Sequence, residues 1–257
     1  MVGKKRRAKQ RWDMKQARKI IPKILLMLVW TFAAVVVSQL VVGCLMLWVL
    51  GADRLSEAVW TAVFSAISYS LAMVLVLGLP KKITLKYKER KFELAPRANR
   101  NGLGLRGLPT WTDIGLAPAG FIVYLLLASG LVAVFEMFPW FNAEEAQKLG
   151  FNIFIFGLDR VAAFIALVVV APIAEEVIFR GWLYGKMRES LSMWLSILLV
   201  SALFGLVHMQ WNVGVNVFAM SVVLCGLREI TGTIYAGILL HMLKNGVAFY
   251  LLFVMGI

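Results

Sequence analysis

The sequence predicts an all-α, polytopic integral membrane helix bundle of about seven transmembrane helices. Hydrophobic residues make up 61% of the 257 positions, and the mean hydropathy is +0.80. Both values are typical of a chain embedded in lipid and not of a soluble domain. Apolar runs long enough for a spanning helix of about 20 residues recur along the chain. The alternating ten-residue strands that mark a membrane barrel are absent from the sequence.

Seven apolar segments are expected to cross the bilayer, and they divide the chain into three parts. Residues 1–80 carry a basic N-terminal segment and two spans, residues 81–113 form a basic cytoplasmic linker, and residues 114–257 form a five-helix membrane domain. The predicted spans are approximately 24–50, 57–79, 115–138, 152–180, 191–209, 213–227 and 233–256.

The positive charge of the chain is concentrated beside the spans. The net charge is +13, with ten Lys or Arg in residues 1–23 and nine more between Lys81 and Arg106. Because both clusters flank apolar segments, we interpret them as positive-inside topology signals that also contact anionic lipid headgroups. This interpretation replaces nucleic-acid binding as the reason for the charge. It predicts a multi-pass protein of the cell membrane with a cytoplasmic N-terminus and an external C-terminus.

Ionisable side chains inside the predicted spans are few. The stretch "APIAEEVIFRG", residues 171–181, places two adjacent carboxylates and an arginine at the end of an apolar run. The chain has two histidines, His208 and His241, and both fall in apolar helices. Ionisable groups are costly in a bilayer and usually line a functional cavity. The C-terminal spans therefore hold the candidate site.

Helical geometry separates the two carboxylates. Glu176 and Arg180 are four residues apart in the favourable order for an ion pair on one face. Glu175 points about 100° away from Glu176, since a helix has 3.6 residues per turn. One carboxylate can thus be held by the arginine while the other faces a cavity. Pro172 removes a backbone hydrogen bond just before the pair and is expected to kink the helix locally or admit water.

A carboxylate, two imidazoles and an amide drawn from three helices suit hydrolysis. His241 and Asn245 are four residues apart and project to one face. Glu175 could deprotonate a water that His208 shares or positions, while His241 and Asn245 donate to a developing oxyanion. The sequence has no HExxH zinc motif and no GxSxG nucleophile elbow.

The motifs EExxxR, FxxxH and HxxxN, in that order on successive helices, resemble those of the CPBP family of CAAX proteases and bacteriocin-processing proteins, also called Abi. They read Glu175 to Arg180, Phe204 to His208 and His241 to Asn245, within roughly 151–247. The resemblance implies an intramembrane endopeptidase, whose eukaryotic members remove the last three residues after a prenylated cysteine. It gives Glu175 the water-activating role, assigns Arg180 to brace Glu176, and completes the site with His208, His241 and Asn245.

The family name implies a metalloprotease, and the residues leave the metal open. Glu175, His208 and His241 could hold zinc with a water as fourth ligand. Asn245 is a poor zinc ligand and a good oxyanion donor, so we favour a metal-free water activated by glutamate. In either case the expected partner is a peptide or protein substrate in or at the membrane.

Three further expectations can be tested against the structure. In ideal helices, Glu175 precedes the turn at Lys186 by about 16 Å and His208 follows Ser190 by about 27 Å. Part of 181–195 is therefore expected to lie along the cytoplasmic interface. Lys244, in mid-helix, could snorkel or pair with a carboxylate. In the N-terminal unit, the polar side chains are expected to form interhelical hydrogen bonds; these are Gln39, Ser65, Ser68, Tyr69 and Ser70.

Two other functions would use the same polar residues. A non-catalytic immunity or scaffold protein could bind a peptide or a partner through this cluster. A small transporter with a site at the midplane of the membrane is a weaker alternative, because the chain lacks broken helices at matching positions of two halves.

Overall fold

The computed structural model describes residues 14–50, 56–78, 84–87, 90–93, 102–145 and 155–256. Its helices are α1 (Met14–Leu50), α2 (Glu57–Met73), α3 (Trp111–Phe135), α4 (Gly157–Arg188), α5 (Met193–Leu206), α6 (Trp211–Thr231) and α7 (Tyr235–Tyr250). Two short strands, β1 (Thr84–Tyr87) and β2 (Arg90–Glu93), pair antiparallel with Thr84 opposite Glu93. Apart from this hairpin, the described chain is helical between its turns, so the predicted all-α membrane bundle is confirmed.

Six helices of the described chain are long and apolar enough to cross a membrane. They are Ile20–Val49, Ala58–Gly78, Trp111–Phe135, Gly157–Arg188, Trp211–Thr231 and Tyr235–Met255. The fifth predicted span, 191–209, is shorter than expected: α5 has 14 residues. That length corresponds to about 21 Å, against a hydrocarbon core of about 30 Å.

Short polar side chains mark where helices begin. At the start of α3, the Thr110 hydroxyl accepts a hydrogen bond from the Asp113 amide, and the Asp113 carboxylate accepts one from the Thr110 amide at 2.8 Å. This reciprocal capping box satisfies donors that have no partner within the helix. Ser192 caps α5 through the amide of Leu195. Ser56 caps α2 and also donates to Asp159 Oδ1 at 2.6 Å, which joins the start of α2 to that of α4.

The C-terminal ends of α4 and α6 and the N-terminal end of α7 meet at one face of the bundle, where residues 102–107 dock. Arg188 of α4 contacts Glu229 of α6 at 2.6 Å. The carbonyl of Gly104 accepts from the Ile234 amide, at the turn between α6 and α7, at 3.1 Å. The carbonyl of Gly107 accepts from the Tyr235 hydroxyl at 2.8 Å. Thus α5 and α6 leave this face and return to it as a hairpin.

The α5–α6 hairpin depends on a close approach of two backbones. A Cβ atom placed on Gly205 would lie 2.8 Å from the carbonyl oxygen of Gly214. A distance below 3.0 Å between these atoms requires a shift of the backbone, so glycine permits the packing at this crossing. The turn that follows α5 carries His208.

The long helix α4 is irregular where it carries the two glutamates. Two π-helical stretches, Ile165–Val170 and Glu176–Tyr184, flank a short α-helical segment that contains Pro172. Single π-helical turns inside α-helices are frequent at functional sites. The helix then continues to Arg188, and the expected position of part of 181–195 along the cytoplasmic interface stays a prediction.

Candidate active site

The two charged side chains of one α4 face form a buried ion pair. Arg180 Nη1 contacts Glu176 Oε1 at 3.0 Å, and both side chains are 0% exposed. The guanidinium carbon of Arg180 lies 4.2 Å from the centre of the Phe204 ring of α5. This is the geometry of a cation–π contact, which is stronger where water is excluded. The predicted pairing of Glu176 with Arg180 is therefore present, and the FxxxH phenylalanine covers it.

Glu176 also holds a histidine of α7. Its Oε1 atom accepts a hydrogen bond from His241 Nδ1 at 3.1 Å. This bond fixes the ring orientation and leaves Nε2 as the nitrogen that faces away from Glu176. The room for the carboxylate comes from Gly237, one helical turn before the histidine, because a Cβ there would lie 3.0 Å from Glu176 Oε2. The glutamate assigned to bracing thus positions His241 as well.

Glu175 faces a different set of groups. Its Oε1 atom accepts a hydrogen bond from the Tyr69 hydroxyl of α2 at 2.5 Å. Its Oε2 atom lies 3.7 Å from His241 Nε2, and the side chain is 13% exposed. The separation of the two carboxylates that helical geometry predicts is present in the structure. One is enclosed with the arginine, and the other presents an oxygen towards an imidazole.

His208 lies in the turn after α5, close to the same centre. Its Nδ1 atom donates to the Phe204 carbonyl oxygen at 2.7 Å. In the neutral ring this leaves Nε2 as the acceptor. The Phe204 ring lies 5.0 Å from the His208 ring and 6.1 Å from the His241 ring, measured between centres. The two histidines are thus gathered around one phenylalanine.

Asn245 points to α4, and one of its amide hydrogens has a structural partner. Its Nδ2 atom donates to the carbonyl oxygen of Leu167 at 2.8 Å. Leu167 lies in the first π-helical stretch of α4, so this contact ties α7 to the irregular part of that helix. The amide group has a second N–H. The role of Asn245 as an oxyanion donor stays a prediction.

The proposed zinc ligands do not converge in the described part of the chain. No group of three or more His, Cys, Asp or Glu side chains among the described residues could hold a metal ion. Of the three suggested ligands, His208 uses Nδ1 for a backbone carbonyl, while Glu175 and His241 face each other at 3.7 Å. The backbone bond of His208 Nδ1 leaves Nε2 free, as in many metal-bound imidazoles, so the metal-free reaction stays a prediction.

Tyr69 belongs to the candidate site, whereas the sequence predicts for it only an interhelical hydrogen bond. It does form the interhelical hydrogen bond expected of the N-terminal polar cluster, but its acceptor is the candidate catalytic carboxylate. Ser70, by contrast, donates to Ala66 of its own helix at 2.7 Å. A tyrosine in an apolar helix needs a partner for its hydroxyl when buried. That need was a usable signal, although the sequence offered no means of choosing Glu175 as the partner.

The fold and the site together define a class: a polytopic helical membrane protein with a partly buried cluster of two glutamates, an arginine and two histidines. Residues 157–247, about a third of the chain, match the family described as Rce1-like, Type II CAAX prenyl endopeptidase Rce1-like. The match confirms the resemblance to CPBP intramembrane proteases and contains all three motifs. It supports a CAAX-type protease acting on peptide or protein substrate at the membrane. No curated protein and no solved structure matches the chain.

Proposed function

We propose that this chain is an intramembrane endopeptidase in which Glu175 activates a water against a peptide bond. The main observation that supports this proposal is the 3.7 Å separation of Glu175 Oε2 from His241 Nε2. Two polar atoms at this distance are too far apart for a direct hydrogen bond and suit a bridging water. Tyr69 occupies the other oxygen of Glu175 at 2.5 Å, so Oε2 is the oxygen that takes the proton.

The other residues are assigned roles from the hydrogen-bond donors and acceptors that their contacts within the protein leave free. Water attacks the scissile carbonyl carbon, its proton passes to Glu175, and that proton is then delivered to the leaving amine nitrogen. His208 accepts from the water through Nε2, because its Nδ1 is committed to the Phe204 carbonyl. His241 and the second N–H of Asn245 stabilise the oxyanion. His241 donates from Nε2 when the ring carries both protons. The carboxylates of Glu175 and Glu176 both lie beside this positively charged ring.

Glu176, Arg180 and Tyr69 act as positioning residues in this scheme. Glu176 and Arg180 neutralise each other and orient His241, while Tyr69 orients Glu175. We propose a metal-free reaction for this arrangement. The substrate is a membrane-associated or lipidated peptide, and a prenylated CAAX peptide is the first candidate because of the family that matches.

We also propose an orientation for the bundle. The basic segments place the N-terminus and residues 81–113 in the cytoplasm, beside anionic headgroups. Most of these basic residues lie outside the described part of the chain. The α5–α6 hairpin returns to the face where residues 102–107 dock, which supports a C-terminus on the opposite, external side.

The test of this function uses purified protein in detergent or vesicles. A prenylated CAAX peptide and a panel of leader peptides would be incubated with the wild type and with Glu175→Gln, and cleavage sites would be found by mass spectrometry. Cleavage by the wild type that is lost in Glu175→Gln is the expected result. Peptide or partner binding that survives Glu175→Gln without any cleavage by the wild type would instead favour an immunity or scaffold protein.

A further inference from the structure

A small polar cavity lies between α3, α6 and α7, beside the candidate active site. Its volume is about 250 Å³. Four of the eight residues that line it have polar side chains, and these are Tyr124, Asn212, Asn216 and Lys244. Polar groups are costly inside a membrane bundle unless they find partners. The lining therefore calls for an occupant that forms hydrogen bonds.

The cavity reaches the far end of the bundle, the end opposite the face where residues 102–107 dock. Ala143 of its lining follows α3, and Asn212 is the second residue of α6, so both belong to this far end. From Asn212 to Val217 the lining advances by five residues along α6, an axial distance of about 7.5 Å. The cavity thus extends from the far end towards the middle of the bundle.

Lys244 lies at the inner end of the cavity, close to the reaction centre. It follows His241 by three residues on α7, an axial rise of about 4.5 Å. It interacts electrostatically with Glu175 and with His208. Its ammonium forms no hydrogen bond or ion pair with the described residues, so the expected pairing with a carboxylate is absent there. The cavity therefore ends at a hydrogen-bond donor beside the candidate base.

The lining and the volume both suit water. The Tyr124 hydroxyl donates to Asn216 Oδ1 at 2.5 Å, which leaves the Asn216 amide nitrogen as a donor. Water accepts from such a donor, or from the ammonium of Lys244, and donates onward to the next water. One water takes up about 30 Å³ in the liquid, so 250 Å³ has room for about eight. That number is enough for a continuous chain.

Apolar side chains fill the bundle near the face where residues 102–107 dock. Those that matter here belong to one hydrophobic cluster and are at most 9% exposed; they are Leu103, Leu183, Met187, Leu224, Leu227 and Leu240. The last five lie within five residues of Arg188, Glu229 or Tyr235, which mark this face. Densely packed apolar side chains exclude water. The far end is therefore the better source of water for the reaction centre.

We propose that this cavity carries water from the far end of the bundle to Glu175, which activates it. Lys244 donates a hydrogen bond to the innermost water of this path. The inference rests on the proposed peptidase function and adds the source of its second substrate, the water consumed at each cleavage. In the proposed orientation, this water enters from the side opposite the cytoplasm.

The first experiment compares cysteines at two valines of α6. Val217 lines the polar cavity and is 4% exposed, whereas Val215 lines an apolar groove between α3, α5 and α6 and is 8% exposed. Val215 is nearer to the far end by about 3 Å. Sealed vesicles of both orientations are treated with an anionic, membrane-impermeant methanethiosulfonate. The wild type gives the background labelling of the native cysteines.

A thiol reacts as its thiolate, which apolar surroundings disfavour. We therefore expect Val217→Cys to be labelled from the far end, and Val215→Cys to stay at the background although it lies nearer. Adding Lys244→Met should slow the labelling of Val217→Cys by about tenfold or more, because a charged cleft concentrates ions of opposite sign. Lys244→Arg should preserve the rate. Background labelling of Val217→Cys, or equal labelling of Val215→Cys, would overturn the proposal.

The second experiment asks whether the path leads to the reaction centre. Glu175→Cys places a thiol there and needs no turnover. Val132→Trp fills the cavity near the far end, and Val134→Trp is its matched control, because Val134 is 52% exposed on the same helix. Labelling of Glu175→Cys should be faster from the far end, slowed by Val132→Trp and unaffected by Val134→Trp. Faster labelling from the face of residues 102–107, or no effect of Val132→Trp, would contradict the path.

Melting temperatures show whether each variant is folded, and Ala143→Trp, at a partly exposed position of the lining, is a second filling variant. Turnover gives a separate readout. Val132→Trp should lower kcat for a cleaved peptide and leave KM unchanged, because it restricts water and not the peptide. If no variant cleaves any peptide, the peptidase function fails, while the labelling of Glu175→Cys still decides the path.

Discussion

Breaking the buried Glu176–Arg180 pair should lower the amount of folded protein, whereas Glu175→Gln should not. Both partners of the pair are 0% exposed and their charged atoms are 3.0 Å apart. Removing one partner of such a pair leaves the other charge buried alone, at a cost of about 3–5 kcal/mol. That cost changes the ratio of folded to unfolded protein by roughly two to four orders of magnitude.

Glu175→Gln is nearly isosteric, and its side-chain oxygen can still accept the hydrogen bond from Tyr69. It removes the ability to take a proton. We therefore expect this variant to accumulate normally and to cleave nothing. Glu176→Ala and Arg180→Ala should both accumulate poorly and show low turnover per folded molecule. The measurements are immunoblots of the membrane fraction, melting in detergent and turnover per molecule.

The double variant Glu176→Leu with Arg180→Met separates charge from packing. Replacing both partners of a buried pair by apolar groups of similar size is often neutral or stabilising, so accumulation should recover. Activity should not recover, because His241 has lost the carboxylate that holds its Nδ1 at 3.1 Å. The reasoning is refuted if the double variant accumulates no better than the single ones. If Glu175→Gln keeps most turnover while Glu176→Ala is folded and inactive, the two carboxylates have opposite roles.

Four further predictions test other contacts. Tyr69→Phe should keep KM and lower kcat by about tenfold, since one neutral-to-charged hydrogen bond is worth about 1.5–3 kcal/mol and part of it serves orientation; unchanged kcat would remove Tyr69 from the site. Gly237→Ala should cost about 1–3 kcal/mol in melting experiments, because its Cβ would meet Glu176 Oε2 at 3.0 Å; no loss would mean that the carboxylate moves freely. A reporter after residue 110 should be cytoplasmic and one at the C-terminus external, and a cytoplasmic C-terminus would contradict the proposed orientation. Strong chelation should leave at least partial activity, whereas complete loss restored by stoichiometric zinc would support a zinc enzyme.

Much of the candidate site was predictable because its central ion pair joins two residues that are close together in the sequence. Glu176 and Arg180 lie four residues apart on one helix, and this spacing places them together whatever the rest of the chain does. The same local rule turns Glu175 away from Glu176. The order of the three motifs along the chain then indicated which helices must converge. The pairing of Glu176 with Arg180 and the divergence of Glu175 follow from helical geometry alone, whereas the convergence of the helices rests on the resemblance of the motifs.

The tertiary structure decided contacts that join residues far apart in sequence. Tyr69 and Glu175 are separated by 106 positions, and no periodicity connects them. Asn245 lies on the predicted side of α7, yet its amide hydrogen goes to Leu167 because α7 packs on the π-helical part of α4. The turn after α5 places His208 beside Phe204, whose ring also lies 6.1 Å from that of His241. Hydropathy and helical periodicity are properties of short stretches of chain, so the sequence alone predicts the membrane helices and the polar groups within them. The contacts between those polar groups depend on how the helices pack, and only the folded bundle defines them.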